Sequence, residues 1–171
     1  MRSLLWLALL GAAPAAAQPC SALFQHVLTQ DFPRAEIDTL GKRASEPNIE
    51  AIVRRDLDLM VLTNSYSSNI NMLSVYGRGF RDIMALYCGQ DSPTYLPILL
   101  DRAEHYEGLL RMMKEDAGKT MGQRWSFELR VASRALFDAA DLLQRTFDPY
   151  FQEVRRLRSC AASGAGEASS C

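Results

Sequence analysis

Four cysteines are the residues whose chemistry is easiest to read from this chain: Cys20, Cys88, Cys160 and Cys171. In an exported protein, four thiols most simply form two disulfides, and three pairings are open to them. Cys20 with Cys88 and Cys160 with Cys171 is the favoured set. The first ties the start of the mature chain to the body, and the second closes a short tail. Cys88 with Cys160 is the rival. No Cys-x-x-Cys pair is present, which excludes the usual dithiol redox site, and without Cys-x-x-Cys-His there is no covalent haem attachment.

A metal would be sought at His105, which has Asp101, Glu104 and Glu107 close to it in sequence. Di-metal helical bundles take Glu-x-x-His sets from several helices. Here the residue three before His105 is Arg102, so Asp101, Glu104 and His105 are only a weak set. They read better as a solvated face with Asp101 and His105 paired one turn apart. His26, between apolar neighbours, reads as a half-buried packing residue. Met60, Met72, Met84, Met112, Met113 and Met121 are not grouped at thioether-ligand spacing. They are expected to fill the core as adaptable apolar side chains. Nothing in the sequence implies a cofactor.

Catalytic motifs are equally scarce. There is no Gly-x-Ser-x-Gly elbow and no phosphate-binding glycine loop. Gly77 and Gly79 flank Arg78 inside a helical pattern, where they would permit close helix approach rather than cradle a ligand. The polar run 63–71 is different. If it stays helical and inward, Thr63, Asn64, Ser67 and Asn71 need hydrogen-bond partners, which water, another helix or a bound ligand could supply, and they are the candidate ligand or interaction residues. The plainer expectation is an exposed bend, because such side chains compete for backbone hydrogen bonds. Arg145, Arg155, Arg156 and Arg158, with Lys42 and Arg43, suggest a positive end, which helix-dipole compensation is sufficient to explain.

The elements that must position these residues are helical. Residues 1–17 read as a secretory signal: Arg2, an apolar run over 4–13, and small residues ending at Ala15 and Ala17. That run is short of the roughly 20 residues a membrane span needs, and no later stretch approaches that length. The 154 residues after it suit one domain with one core. Of 19 basic residues the signal removes only Arg2, leaving 18 against 20 acidic residues, a net charge of −2. Nucleic-acid binding, which rests on surplus Lys and Arg, is not expected.

Periodicity predicts a short helix over 21–30 and then a connecting loop with at most one turn of helix over 35–40. A second helix over 47–87 follows, a third begins near Ser92 and Pro93 and ends before Gly118, and a fourth runs from Trp125 to about Leu157. Ile49, Val53, Leu57 and Met60 are expected as the first buried stripe of the second helix, with a bend over 63–71. Trp125, Leu129, Ala132, Leu136, Ala139, Leu143, Phe147, Tyr150, Val154 and Leu157 form the seam of the fourth, which should bend at Pro149 without breaking. The expected fold is all-α: an up-and-down bundle of three long helices and a short N-terminal one, stapled by disulfides. Its domain would span 18–160, with a disordered polar tail over 161–171.

A strong packing pattern without a catalytic set points to an exported, non-enzymatic protein that binds another envelope or secreted protein. An inhibitor, an immunity-type protein, a chaperone or an assembly component would all fit. The alternative is a carrier holding a small ligand or metal in the bundle interior.

Overall fold

The computed structural model describes residues 20–89, 92–123 and 125–162. The expected signal over 1–17 and Cys171 lie outside them. The described chain is all-helical, with six helices: α1 (Ala22–Thr29), α2 (Arg34–Ser45), α3 (Pro47–Arg54), α4 (Leu57–Gly89), α5 (Ser92–Gly122) and α6 (Phe127–Ala162). Among the described residues no helix is long and apolar enough to cross a membrane.

The three long helices alternate in direction. Tyr66 of α4 meets Thr120 of α5 at 3.0 Å, and Tyr106 of α5 reaches Leu73 of α4, so these two run antiparallel. Lys114 of α5 meets Asp141 of α6 and Glu104 meets Arg158, so this pair is antiparallel as well. The shorter helices supply the fourth rod. Phe24 packs edge-on against Tyr87, Ser67 of α4 bonds Gly41 of α2, and Asn48 of α3 bonds Asn64. Thus α1, α2 and α3 descend α4 in succession, a single rod cut into three pieces.

Burial explains why the rods hold together. Phe80, Tyr106, Phe147 and Phe151 are buried and mutually in ring contact at the middle of the bundle. Gly77 makes this possible. A Cβ there would lie 2.6 Å from the Tyr106 hydroxyl and 3.0 Å from the Phe32 ring, whereas Gly79 faces open space. The seam of α6 is buried from Leu129 through Val154, and the helix continues across Pro149. Trp125 departs from the expectation. It precedes α6 and is half exposed, because the Ser126 hydroxyl caps the helix by accepting from the Leu129 N–H.

Four further expectations are corrected. The presumed loop after α1 contains the twelve-residue α2, because Gly41 tucks against Ile70, with 3.8 Å from its would-be Cβ to the Ile70 side chain, and its carbonyl accepts from Ser67. The second helix is interrupted at Arg55 and Asp56 rather than over 63–71, where a bend was expected, and α4 is continuous through the polar run. There the N–H groups of Arg55 and Asp56 turn back to Ile52 and Ala51, with Arg55 in the left-handed region at φ 57°, a helix stop usually made by glycine. The Asp56 carboxylate then caps α4 by accepting from the Leu59 N–H at 3.0 Å. α5 does not stop before Gly118 but runs to Gly122, with Gly118 set against Phe137. The expected Cys20–Cys88 disulfide is present, and Cys171, the partner proposed for Cys160, lies outside the described residues. α6 also takes in Ala161 and Ala162, the first two residues assigned to the tail.

Candidate functional site

The break at Arg55 changes what the first apolar stripe does. Had α3 and α4 been one helix, Ile49, Val53 and Leu57 would have faced the core. Instead α3 buries only Pro47 and Ala51. Ile49, Ile52, Val53, Leu57 and Val61 are left 62–76% exposed. On α3 the first three recur at spacings of three and one, a single outward stripe. Leu57 and Val61 lie one turn apart at the start of α4 and are likewise exposed.

One ion pair ties the end of α3 to α6. The Arg54 guanidinium bonds Glu50 at 2.7 Å and Glu128 at 3.2 Å, bringing the end of α3 to the start of α6. Trp125 and Phe127, also exposed, lie close in sequence to Glu128 at the start of α6. A hydrogen bond from its own N–H, then one from Ser126, then Arg54 hold the Glu128 carboxyl below the ordinary glutamate range. The Cys20–Cys88 bridge closes the opposite end of α4. With 33 residues at about 1.5 Å each, α4 separates the two ends by about 50 Å.

The polar run is divided between structure and surface. Thr63 is fully buried. Its hydroxyl bonds the Asn48 side-chain oxygen and has the Leu59 carbonyl as a second acceptor at 2.9 Å. The Asn48 amide also donates to Asn64. These bonds dock α3 on α4, and they show how a polar segment remains helical: its groups are satisfied internally. Asn64, Ser67 and Asn71 line an open groove of about 510 Å³ between α2 and α4, together with Asp38, Lys42 and Ser68 over a floor of Ile37 and Ile70. Thr63 is not part of it.

Asp101, Glu104 and His105 are not gathered into a ligand set. The Glu104 carboxylate takes Arg158 at 2.8 Å, and the His105 ring lies 5.4 Å from Tyr76. Among the described residues no three His, Cys, Asp or Glu side chains converge as metal ligands. His26 is exposed, with its Nε2 2.8 Å from Gln30, rather than half buried. The late arginines are largely engaged in ion pairs: Arg145 with Asp141, Arg155 with Glu107, Arg156 with Glu153 and Arg158 with Glu104.

Sequence reasoning named most of the exposed aliphatic residues but placed them inside, and it passed over Ile52 and Val61. The usable signal was Asp56 followed three residues later by Leu59, a helix-start pattern within an apparently continuous helix. Comparison with protein families, with curated proteins and with solved structures finds no match to this chain.

Proposed function

We propose that this is an exported helical-bundle protein, stapled by Cys20–Cys88 and by a second bridge from Cys160 to Cys171, that acts by binding another protein through its apolar end. One observation carries this reading: five aliphatic side chains on α3 and the start of α4 are exposed to solvent. Monomeric proteins rarely expose a contiguous apolar patch beyond a few hundred Å² unless it is used. Export is supported by the signal-like character of residues 1–17 and by a disulfide, which persists in oxidising compartments. The expected role is non-enzymatic, that of an inhibitor, chaperone or assembly component in the periplasm or outside the cell. The test is affinity capture from the envelope with the native protein and with an Ile52→Asp, Val53→Asp variant. A partner retained by the first and lost by the second is expected. Equal capture by both, or turnover of a substrate that the double variant leaves intact, would reject the reading.

A second reading has its own observation. The α2–α4 groove presents Asp38, Lys42, Asn64, Ser68 and Asn71 to solvent, a neutral hydrogen-bonding surface with one charge of each sign. Such a lining suits a small polar or zwitterionic ligand. Native mass spectrometry of protein from its own host should show added mass that Asn71→Leu and Lys42→Leu abolish. A bare polypeptide mass would remove this reading.

A further inference from the structure

Between α5 and α6 lies an open groove of about 330 Å³, lined by three guanidinium groups, Arg111, Arg155 and Arg158, and two carboxylates, Glu104 and Glu107. We propose that it binds a small monocarboxylate with a short apolar body, at a site separate from the apolar end and from the α2–α4 groove and independent of both readings above. The first ground is how the arginines are used. Arg155 spends Nη1 alone on both oxygens of Glu107, at 2.7 and 2.8 Å. Arg158 spends Nη2 alone, on Glu104 at 2.8 Å and on the Leu100 carbonyl at 3.3 Å. The glutamates thus hold both guanidiniums at the groove and leave their other N–H groups without a partner among the described residues. Arg111, one turn along α5 from Glu107, makes no ion pair or hydrogen bond among the described residues. Planar N–H forks held in this way match a carboxylate bidentately.

Charge and shape narrow the ligand. Three cations against two anions leave the lining one positive charge in surplus. The neighbouring acids Asp101, Glu115, Asp148 and Glu153 do not line the groove, and neither do the bases Arg102, Lys114 and Arg156. A monoanion balances the surplus, whereas a phosphate dianion exceeds it. The floor is apolar: Ala103, Phe151 and Val154 are buried, and Leu100 is half-buried. Gly108 deepens the groove. A Cβ there would meet nothing within 4 Å, so no packing within the fold calls for a residue that weakens a helix relative to alanine. Gly79 is equally unopposed but exposed, whereas Gly108 is half-buried and lines the groove. Its missing side chain leaves room on the α5 wall between Glu104 and Arg111 for the ligand's apolar body. The volume is that of a small-ligand site, which begins at about 300 Å³.

Amide NMR spectra of the oxidised protein titrated with hexanoate test this. Saturable shifts at Gly108, Arg111 and Arg155 are expected, with a dissociation constant of about 1 mM or tighter. Arg111→Gln should weaken binding at least about fivefold. Gly108→Leu fills the groove while favouring the helix, and should weaken binding at least about tenfold with helicity retained. Lys119→Gln, which removes a charge about two turns further along α5, should change it by less than about twofold. Hexanamide has the same body without the charge, and if it binds as tightly as hexanoate the guanidiniums recognise nothing and the proposal falls. Acetate or inorganic phosphate binding as tightly as hexanoate removes the role of the apolar floor and overturns it too. So does an absence of saturable shifts, or shifts confined to other arginines.

Discussion

Replacing Gly77 with alanine tests the packing at the centre of the bundle. In an exposed helix this change would stabilise by about 0.5–1 kcal/mol, because glycine loses more backbone freedom on folding. Here the new methyl would stand 2.6 Å from the Tyr106 hydroxyl, 3.0 Å from the Phe32 ring and 3.2 Å from Tyr106 Cζ. Tyr106 cannot simply swing away. Its ring is wedged among Phe80, Phe147 and Phe151 at centroid distances of 5.5–6.1 Å, and its hydroxyl donates to the Leu73 carbonyl at 3.2 Å. Overpacking typically costs about 1–3 kcal/mol, and a lost buried hydrogen bond adds about 1 kcal/mol. After the propensity gain, a net loss of about 1–3.5 kcal/mol is expected, or about 2–4 °C of melting temperature per kcal/mol for a chain of this length. Denaturant unfolding followed by far-UV circular dichroism measures it. Tyr106→Phe removes the closest atom, so the double variant should be more stable than the sum of the single changes by about 0.5–1 kcal/mol. A neutral or stabilising Gly77→Ala, or strict additivity with Tyr106→Phe, would refute the contact.

The remaining expectations concern the bridge, the protons and the turn. Changing Cys20 and Cys88 to serine should cost about 4 kcal/mol on loop-entropy grounds for a separation of 68 residues, read from the same unfolding curves; unchanged stability would contradict the pairing. Burial pushes the Tyr106 phenol well above the usual tyrosine range, and burial followed by the Glu153 charge pushes Tyr87 the same way. Above about pH 10 the unfolded chain loses these protons while the folded one keeps them. Stability present below that pH should therefore fall as pH rises, and Tyr106→Phe should flatten the alkaline limb of the denaturant midpoint. The Lys114 ammonium, then Arg145, hold the Asp141 carboxyl below the ordinary aspartate range. Its contribution is present above about pH 4 and lost as pH falls through the lowered value, so Asp141→Asn should blunt the acid limb. Arg55→Gly should relieve the left-handed turn and stabilise by up to about 1 kcal/mol, seen as a raised denaturant midpoint.

The long rods were legible because their apolar residues repeat without interruption: the α6 seam from Leu129 to Val154 is buried as its spacing predicts, and Cys20 meets Cys88 because antiparallel rods bring them together. What stayed hidden was set by contacts between distant residues. Gly41 resembles a loop signal until Ile70 and Ser67 are seen against it. Thr63 and Asn64 resemble a bend until Asn48 supplies their partner from fifteen and sixteen residues away. The stop at Arg55 carries no glycine, and its one local mark was the Asp56 cap that follows it. Of the candidate polar residues, Asn64, Ser67 and Asn71 do share a groove. The apolar end was invisible as a surface because its spacing is that of a core stripe.

Cutting one rod into three has a dynamic cost confined to one side of the molecule. Pieces of eight, twelve and eight residues are each too short or too marginal to stay helical alone in water. They keep their shape only while docked, with the Cys20–Cys88 link as tether at one end and the Asn48 bonds as clasp at the other. Breathing of the clasped end can lift α3 while α4, α5 and α6 remain packed. The most exposed aliphatic residues are thus mounted on a segment whose helical shape depends on its docking to α4 and α6.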